Sequence, residues 1–282
     1  MTWVLGAHAR KMIETGQSQI DQRNIAFWNT LCGTNLAQTI GVTDRSAASL
    51  EKFDKWFFAH YPYLDHYIPF AKLTGRMVLE VGLGYGSVAE RLATHGAEYT
   101  GLDIAVGPVE VVNYRMELKR LNGRALRGSI LTAPFSDQVF DAIIAIGCYH
   151  HTGDLQGAID ESFRLLKPGG TLVCMVYNAL SYRRWYTSTR ATLKYYLTSG
   201  GDASTNDERA AYDRHPDGSA APHTSFVSRA HLRRMCRRFS RFSARLENIT
   251  DEPPFARWSR DRLLDTTIPH FLGLDIYAVA VK

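Results

Sequence analysis

The sequence predicts an open α/β sheet, and three features around residue 80 support that prediction. Residues 78–81 form the short apolar run that is typical of a buried parallel strand. Three closely spaced glycines, at positions 82, 84 and 86, interrupt the run at once. A helical pattern follows, and then a second short apolar run at 99–103. In such a sheet the ligand lies beyond the carboxyl ends of the strands, so the glycine turn marks the expected site.

Two acidic residues at the ends of these strands indicate the kind of ligand. Glu80 lies two residues before the first glycine, where a carboxylate would repel a pyrophosphate and attract an ammonium group. Asp103 ends the second strand, 17 residues after Gly86, where it could accept both hydroxyls of a ribose. Ser87 occupies the third small position of the dinucleotide pattern G-x-G-x-x-G/A, so that pattern is not matched. The predicted ligand has a ribose and a positive charge but no phosphate.

The pattern E-x-G-x-G-x-G, with an acid closing the second strand, resembles the class I S-adenosylmethionine-dependent methyltransferases of the small-molecule type. FDAIIAIG at 140–147, CYHHTGD at 148–154 and LLKPGG at 165–170 resemble the family's fourth strand, the following loop and the turn into the fifth strand. The resemblance covers about residues 70–177. It implies S-adenosyl-L-methionine as cofactor. It also implies a Rossmann-like, seven-stranded, mostly parallel sheet with its last strand antiparallel and helices on both faces.

The resemblance also implies a set of cofactor contacts. Glu80 would hold the methionine ammonium, Asp103 the ribose, and the glycines would allow close approach of the backbone. Many relatives have an acid where Ser129 stands, so here a serine hydroxyl or a backbone carbonyl would hold the adenine amino group. The predicted cofactor residues are Glu80, Gly82, Gly84, Gly86, Asp103, Ile104, Ser129, Ile130 and Gly147.

Two consecutive histidines follow the predicted fourth strand. A histidine taken singly is more often structural than catalytic. However, a general base for an oxygen or nitrogen nucleophile is needed directly beyond this strand, and imidazole has a suitable unperturbed pKa. We therefore predict that His150 or His151 is the base. This favours O-methylation, with transfer to nitrogen or carbon as the alternatives.

The flanking segments predict where an acceptor binds. Residues 1–75, rich in aromatic residues, are interpreted as an N-terminal helical cap that partly covers the pocket. Residues 76–282 would form the methyltransferase domain, with a polar and mobile insertion at about 198–225 that is either a lid or a surface loop. The candidate acceptor residues are Tyr61, Tyr63, Tyr177, Asn178, Arg183 and Arg184. As alternatives, Asn178 could cap a helix, and the two arginines could belong to a solvated helix face.

Composition limits the function further. The net charge is +5, and residues 180–245 contain 13 Lys or Arg against 5 Asp or Glu, so an anionic acceptor with an apolar or aromatic body is expected. The loop that begins at Gly147 lacks the N/D-P-P-Y/F pattern of nucleic-acid amino methyltransferases, which disfavours nucleic acid. No apolar run reaches the ~18 residues of a membrane span. Four scattered cysteines, without metal-ligand spacing, predict a reduced cytoplasmic location and no metal.

Two alternative functions stay open. A nicotinamide-dependent oxidoreductase could use the same type of fold, although Glu80 and Ser87 argue against it. A protein that binds S-adenosylmethionine without catalysis would have the same cofactor motifs. The sequence alone does not separate that protein from an enzyme.

Overall fold

Seven strands form the centre of the molecule. The structure, a computed structural model, describes residues 7–29, 36–198 and 204–282, and the side chains of all of these except residues 7–15, 36 and 38. The strands are β1 (Met77–Val81), β2 (Glu98–Asp103), β3 (Gly123–Arg127), β4 (Phe140–Ile146), β5 (Leu166–Tyr177), β6 (Arg241–Glu247) and β7 (Asp275–Val281). They form one sheet in the order β3-β2-β1-β4-β5-β7-β6. β1 to β5 are parallel, and β7 lies antiparallel between β5 and β6. The predicted fold class is confirmed.

Helices precede the sheet and connect its strands. The described residues before β1 form four helices: α1 (Ala7–Trp28), α2 (Leu36–Thr39), α3 (Ala47–His60) and α4 (Leu64–Tyr67). Three connect the first five strands: α5 (Ser87–Thr94), α6 (Val106–Lys119) and α7 (Leu155–Leu165). Between β5 and β6, the part of the chain that the structure describes has four: α8 (Tyr182–Thr187), α9 (Thr189–Thr198), α10 (Asn206–Ala210) and α11 (Arg229–Met235). Two precede β7: α12 (Arg260–Leu264) and α13 (Ile268–Leu272). None of the helices that the structure describes is long and apolar enough to cross a membrane.

Both faces of the sheet are buried because successive strand residues point to opposite sides. In β4, Ile143 packs in the cluster that includes α7 and α11, whereas Ile144 packs in the cluster that includes α4, α5 and α6. Leu172 and Val173 alternate in the same way in β5. Each fully buried residue of this size contributes about 1.5–3 kcal/mol. The sheet is therefore a rigid platform for the residues at its edge.

Several predicted boundaries differ from the structure. The sequence of 180–197 predicts one helix, but the structure has two, α8 and α9, because the chain leaves helical geometry at Ser188. The sequence predicts a third strand over 125–130, but β3 ends at Arg127, and the Ser129 hydroxyl accepts a hydrogen bond from the Leu131 amide to start a short 3-10 turn. The sequence also predicts a helix over 20–36, whereas α1 is Ala7–Trp28. Residues 30–35, which include Cys32, lie outside the described residues.

The described part of the insertion, residues 204–225, contains α10 and an isolated bridge between Arg214 and Ala220, and its mobility stays a prediction. A capping box of Thr205 and Glu208 begins α10. Glu208 and Asp213 are buried, and Glu208 forms an ion pair with Arg184 at 3.0 Å. Most of the segment is exposed or half-buried, and its two buried acids have partners, since Glu208 pairs with Arg184 and Asp213 accepts a hydrogen bond from Tyr177. The predicted domain boundary near residue 75 stays a prediction.

Candidate cofactor and acceptor site

A cavity of about 280 Å³ lies at the carboxyl edge of the sheet. It lies where the strand order reverses, because β1 pairs with β2 on one side and with β4 on the other. Helices α1 and α3 contribute to its wall. Most of the predicted site residues line it: Glu80, Gly82, Gly84, Asp103, Ile104, Ser129, Ile130, Gly147, His151, Tyr61 and Tyr177.

Glu80 is positioned at the end of β1 and is almost fully buried. The hydroxyl of Tyr99, from β2, donates a hydrogen bond to Glu80 Oε2 at 2.6 Å, which sets the orientation of the carboxyl group. Burial raises the pKa of Glu80 to about 8, although the Tyr99 hydrogen bond opposes this rise. A cationic ligand group at this carboxyl would favour its ionised form.

Asp103 is held by the backbone at the end of β2. Its two carboxyl oxygens accept hydrogen bonds from the amides of Leu83 and Ala105, each at 2.8 Å. Burial raises the pKa of Asp103 to about 6, and these amide bonds limit the rise. The carboxylate is therefore ionised at neutral pH and has a fixed direction, as a group that accepts ribose hydroxyls requires.

The glycine turn has two different roles. Gly82 and Gly84 line the cavity with φ of 78° and 51°, a backbone conformation that glycine adopts without strain. A Cβ on Gly82 would lie 2.3 Å from the Cβ of Cys148. Gly86 is not among the lining residues, and its Cβ would meet Val112 Cγ2 at 2.9 Å instead. Gly86 thus allows α5 and α6 to pack closely, and the structure does not support its predicted contact with the cofactor.

His151 is buried and presents one ring nitrogen as an acceptor. Its Nδ1 lies 2.7 Å from the carbonyl oxygen of His223, which can only accept, so Nδ1 carries the proton. Nε2 has no hydrogen-bond partner among the described residues and lies 3.5 Å from Asp213 Oδ2. Burial lowers the pKa of His151, and Asp213 opposes this shift. At neutral pH the ring is neutral, as a general base must be.

His150 is not brought to the cavity. It is fully buried, and its ring lies between those of His151 and Tyr177, with centroid distances of 4.1 and 4.0 Å. Burial lowers its pKa well below the usual value. The geometry therefore supports His151 and not His150 as a candidate base.

The predicted acceptor residues are only partly brought together. Tyr61 and Tyr177 line the cavity, but Tyr63 packs on Tyr277 away from it, at 5.2 Å between ring centroids. Asn178 donates to the Gly273 carbonyl and accepts from the Leu180 amide, so its role is structural.

The two predicted arginines are also absent from the lining. Arg183 contacts Glu252 and lies over the ring of Tyr212, at 4.6 Å from its centroid. Arg184 forms its ion pair with Glu208. Both therefore stabilise the region after β5 and do not contribute to an anion site in the cavity.

Sequence reasoning missed several cavity residues. Asp213 comes from the insertion, and Asn24 and Trp28 come from α1. Asn24 Nδ2 donates to the His151 carbonyl at 2.7 Å, and the rings of Trp28 and His151 are 4.8 Å apart. None of the three belongs to a motif. The only signal for them was the polar and aromatic character of the segments that contain them.

The donor set fits S-adenosyl-L-methionine. Two buried carboxylates, Glu80 and Asp103, end adjacent strands beside a glycine turn. No lysine or arginine is found among the described residues that line the cavity, so a phosphorylated coenzyme would have no counter-charge there. The described residues also contain no group of three or more side chains that could hold a metal ion. The fold and the donor set are those that the resemblance to class I S-adenosylmethionine-dependent methyltransferases predicts.

Comparisons with known proteins agree with this class. Residues 79–174 match the family described as "Methyltransferase domain". A demethylmenaquinone methyltransferase from Tropheryma whipplei is 35% identical over 100 residues, which is 35% of this chain and 41% of that protein. A ubiquinone biosynthesis O-methyltransferase from Coxiella burnetii is 33% identical over 129 residues, 46% of this chain and 55% of that protein. This chain thus spans about half or less of the length of these relatives.

Solved structures show the same fold. A S-adenosylmethionine-dependent methyltransferase from Methanosarcina mazei superposes with a TM-score of 0.54 at 16% identity, over 79% of this chain and 97% of that one. Residues 79–174 therefore match a methyltransferase domain, and the chain has the fold of S-adenosylmethionine-dependent methyltransferases.

Proposed function

We propose that this protein transfers a methyl group from S-adenosyl-L-methionine to an oxygen or nitrogen atom of a small molecule. The observation that supports this most directly is that one cavity is lined by Glu80 and Asp103, from the ends of β1 and β2, and by His151, from the loop after the adjacent β4. The curated relatives named above act on quinone precursors according to their names, which supports a small acceptor. The preference for oxygen that the sequence suggested depends on the histidine alone, and a general base serves either atom.

The cofactor residues have separate roles in this proposal. The bound cofactor supplies a methyl group on a sulfonium, which is a good leaving group. Glu80 holds the ammonium of the methionine end, and Asp103 accepts the ribose hydroxyls. Gly82, Gly84 and Gly147 let the backbone come close, while Ile104, Ser129 and Ile130 form the adenine side of the cavity.

His151 removes a proton from the acceptor. Its Nδ1 donates a hydrogen bond to the His223 carbonyl, so Nε2 is the nitrogen that takes the proton as the new bond to the methyl carbon forms. Asp213 then stabilises the imidazolium, because its Oδ2 lies 3.5 Å from Nε2. A base positioned in this way contributes roughly 10²–10⁴-fold to the rate.

Cofactor binding is tested by calorimetry with S-adenosylmethionine and S-adenosylhomocysteine, with NADH as the ligand of the competing oxidoreductase. We expect both adenosyl ligands to bind and NADH not to bind. Asp103→Ala should weaken binding by at least about 100-fold, because two hydrogen bonds to a charged group are worth ~1.5–3 kcal/mol each. Unchanged affinity in this variant, or binding of NADH alone, would contradict the assignment of the site.

Catalysis is tested by following formation of S-adenosylhomocysteine with a panel of phenols, amines and quinols. His151→Gln should reduce turnover about 100-fold or more while cofactor affinity stays the same. His150→Gln is the matched control from the adjacent position, and it should lower stability more than it lowers turnover of the folded protein. A protein that only binds the cofactor would show no turnover with any acceptor. If the two variants have equal effects on turnover, His151 is not the base.

A further inference from the structure

The part of the cavity beyond β4 is rich in hydrogen-bond acceptors that have no donor. His151 Nε2 and Asn24 Oδ1 are buried and have no hydrogen-bond partner among the described residues. The orientation of Asn24 is determined because its Nδ2 donates to the His151 carbonyl at 2.7 Å, so Oδ1 is the atom left over. A buried acceptor without a donor costs ~1–3 kcal/mol, which favours a ligand that donates to it.

Asp213 adds a further acceptor that needs a donor from the ligand. Its Oδ2 accepts a hydrogen bond from the Tyr177 hydroxyl at 2.9 Å, and the same oxygen faces His151 Nε2 at 3.5 Å. Since His151 Nδ1 carries the ring proton, two acceptor atoms face each other with no hydrogen between them. A donor from the ligand would satisfy both atoms.

The walls around these acceptors are aromatic, and their charge is negative. Trp28, Tyr61 and Tyr177 line this part of the cavity, and ring faces attract cations. The acidic residues Asp21 and Asp213 line it as well. No arginine or lysine is among the described lining residues: Arg183 is near enough to oppose the rise in the pKa of Asp213, but its side chain pairs with Glu252, and Arg184 pairs with Glu208. An anion would therefore enter without a counter-charge.

From these observations we infer that the methyl acceptor is a small alkylamine with an aromatic ring, which donates to His151, Asp213 and Asn24, and not the anion that the basic sequence suggested. An amine is favoured over a hydroxyl because it supplies more than one donor to several acceptors. The inference rests on the proposed function. The amine enters as an ammonium and gives one proton to His151 Nε2. Its lone pair then bonds to the methyl carbon as the carbon–sulfur bond breaks, and a methylammonium and S-adenosylhomocysteine remain.

The test uses three probes with one aromatic body and different charge: phenethylamine, phenethyl alcohol and 3-phenylpropionate. Each is titrated into the full chain loaded with S-adenosylhomocysteine, and binding is measured by calorimetry. We expect phenethylamine to bind at least tenfold more tightly than the alcohol, and 3-phenylpropionate to bind most weakly. A carboxylate probe that binds as well as the amine would overturn the inference. An alcohol that binds best would assign a hydroxyl acceptor, and binding of no probe would overturn it too.

Asp213→Asn removes the negative charge of this side chain and keeps its shape, so it tests which of the two selects the amine. The amide has nearly the same shape and no charge, and its atom at the Oδ2 position either accepts from the Tyr177 hydroxyl as an oxygen or donates to His151 Nε2 as a nitrogen. The fold should therefore hold, and the affinity for S-adenosylhomocysteine should not change. Affinity for phenethylamine should fall at least tenfold, and that for the alcohol should change less than threefold. Asp217→Asn, an exposed acid of the same segment, is the control and should leave all three affinities unchanged. A preference for the amine that survives Asp213→Asn contradicts the inference, whereas failure of S-adenosylhomocysteine itself to bind would contradict the proposed function.

Discussion

The two halves of the cavity are built from different parts of the chain. In the cofactor half, Glu80 and Asp103 end adjacent strands, and the glycine turn lies between them in sequence. In the acceptor half, the Asn24 side chain donates a hydrogen bond to the carbonyl of His151, which is 127 residues away in the chain. The His151 ring donates to the carbonyl of His223, 72 residues away. The first half depends on local strand and turn geometry. The second depends on the docking of α1 and the insertion against the loop after β4, so sequence motifs describe only the first.

The largest expected effect on stability comes from a buried arginine that joins three helices beside the cofactor half of the cavity. Arg115 of α6 is 1% exposed and joins Asp54 of α3 at 2.8 Å to Glu90 of α5 at 2.6 Å. Arg115→Met leaves two partly buried carboxylates without their cation, so the free energy of unfolding should fall by about 3–5 kcal/mol. Denaturation in urea measures this change.

Arg45→Met is the control for that experiment. Arg45 pairs with Glu110 at 2.7 Å, but both side chains are exposed, by 43% and 57%. Exposed pairs are worth roughly 0–1 kcal/mol, so this variant should stay close to the parent. A similar loss of unfolding free energy in the two variants would show that Arg115 does not join α3 to the helices beside the cofactor half of the cavity.

A smaller effect is expected at the glycine turn. Gly82→Ala adds a Cβ at φ 78° and places it 2.3 Å from the Cβ of Cys148, so strain and overlap act together. We expect a loss of about 2–4 kcal/mol in the free energy of unfolding and weaker binding of S-adenosylhomocysteine.

Gly75→Ala distinguishes backbone strain from overlap with a neighbouring side chain. Gly75 has φ 67° and open space where its Cβ would be, so only the conformational strain remains, about 1 kcal/mol. Binding of S-adenosylhomocysteine should not change. If Gly82→Ala costs no more than Gly75→Ala, the contact of the turn with Cys148 is not a constraint on the cofactor half.

The sequence predicted the sheet and most of the cofactor half for a physical reason. Strand burial, glycine turns and acids at strand ends are local features, and the topology of a parallel sheet brings them to one edge. Gly86 is the exception in that half. Its role depends on Val112 and Arg115 of α6, whose approach no local pattern describes.

The acceptor half could be predicted only in outline. His150 and His151 are adjacent in sequence, and only the path of the loop after β4 decides which of them faces the cavity. The net charge of 180–245 does not locate an anion site, since the arginines that it counts include Arg183 and Arg184, which pair with Glu252 and Glu208. Such pairings are a property of the tertiary structure.

The pH dependence of cofactor binding provides the finest test of the difference between the halves. Burial raises the pKa of Glu80 to about 8, so at neutral pH much of this carboxyl is protonated before the ligand ammonium arrives. The ionised form binds the ammonium, and affinity for S-adenosylhomocysteine should therefore rise about fivefold from pH 7 to pH 8. Glu80→Gln should remove this rise, whereas Asp213→Asn, in the acceptor half, should keep it. Calorimetry at both pH values measures all three proteins, and a rise that Glu80→Gln retains would belong to the ligand and not to Glu80.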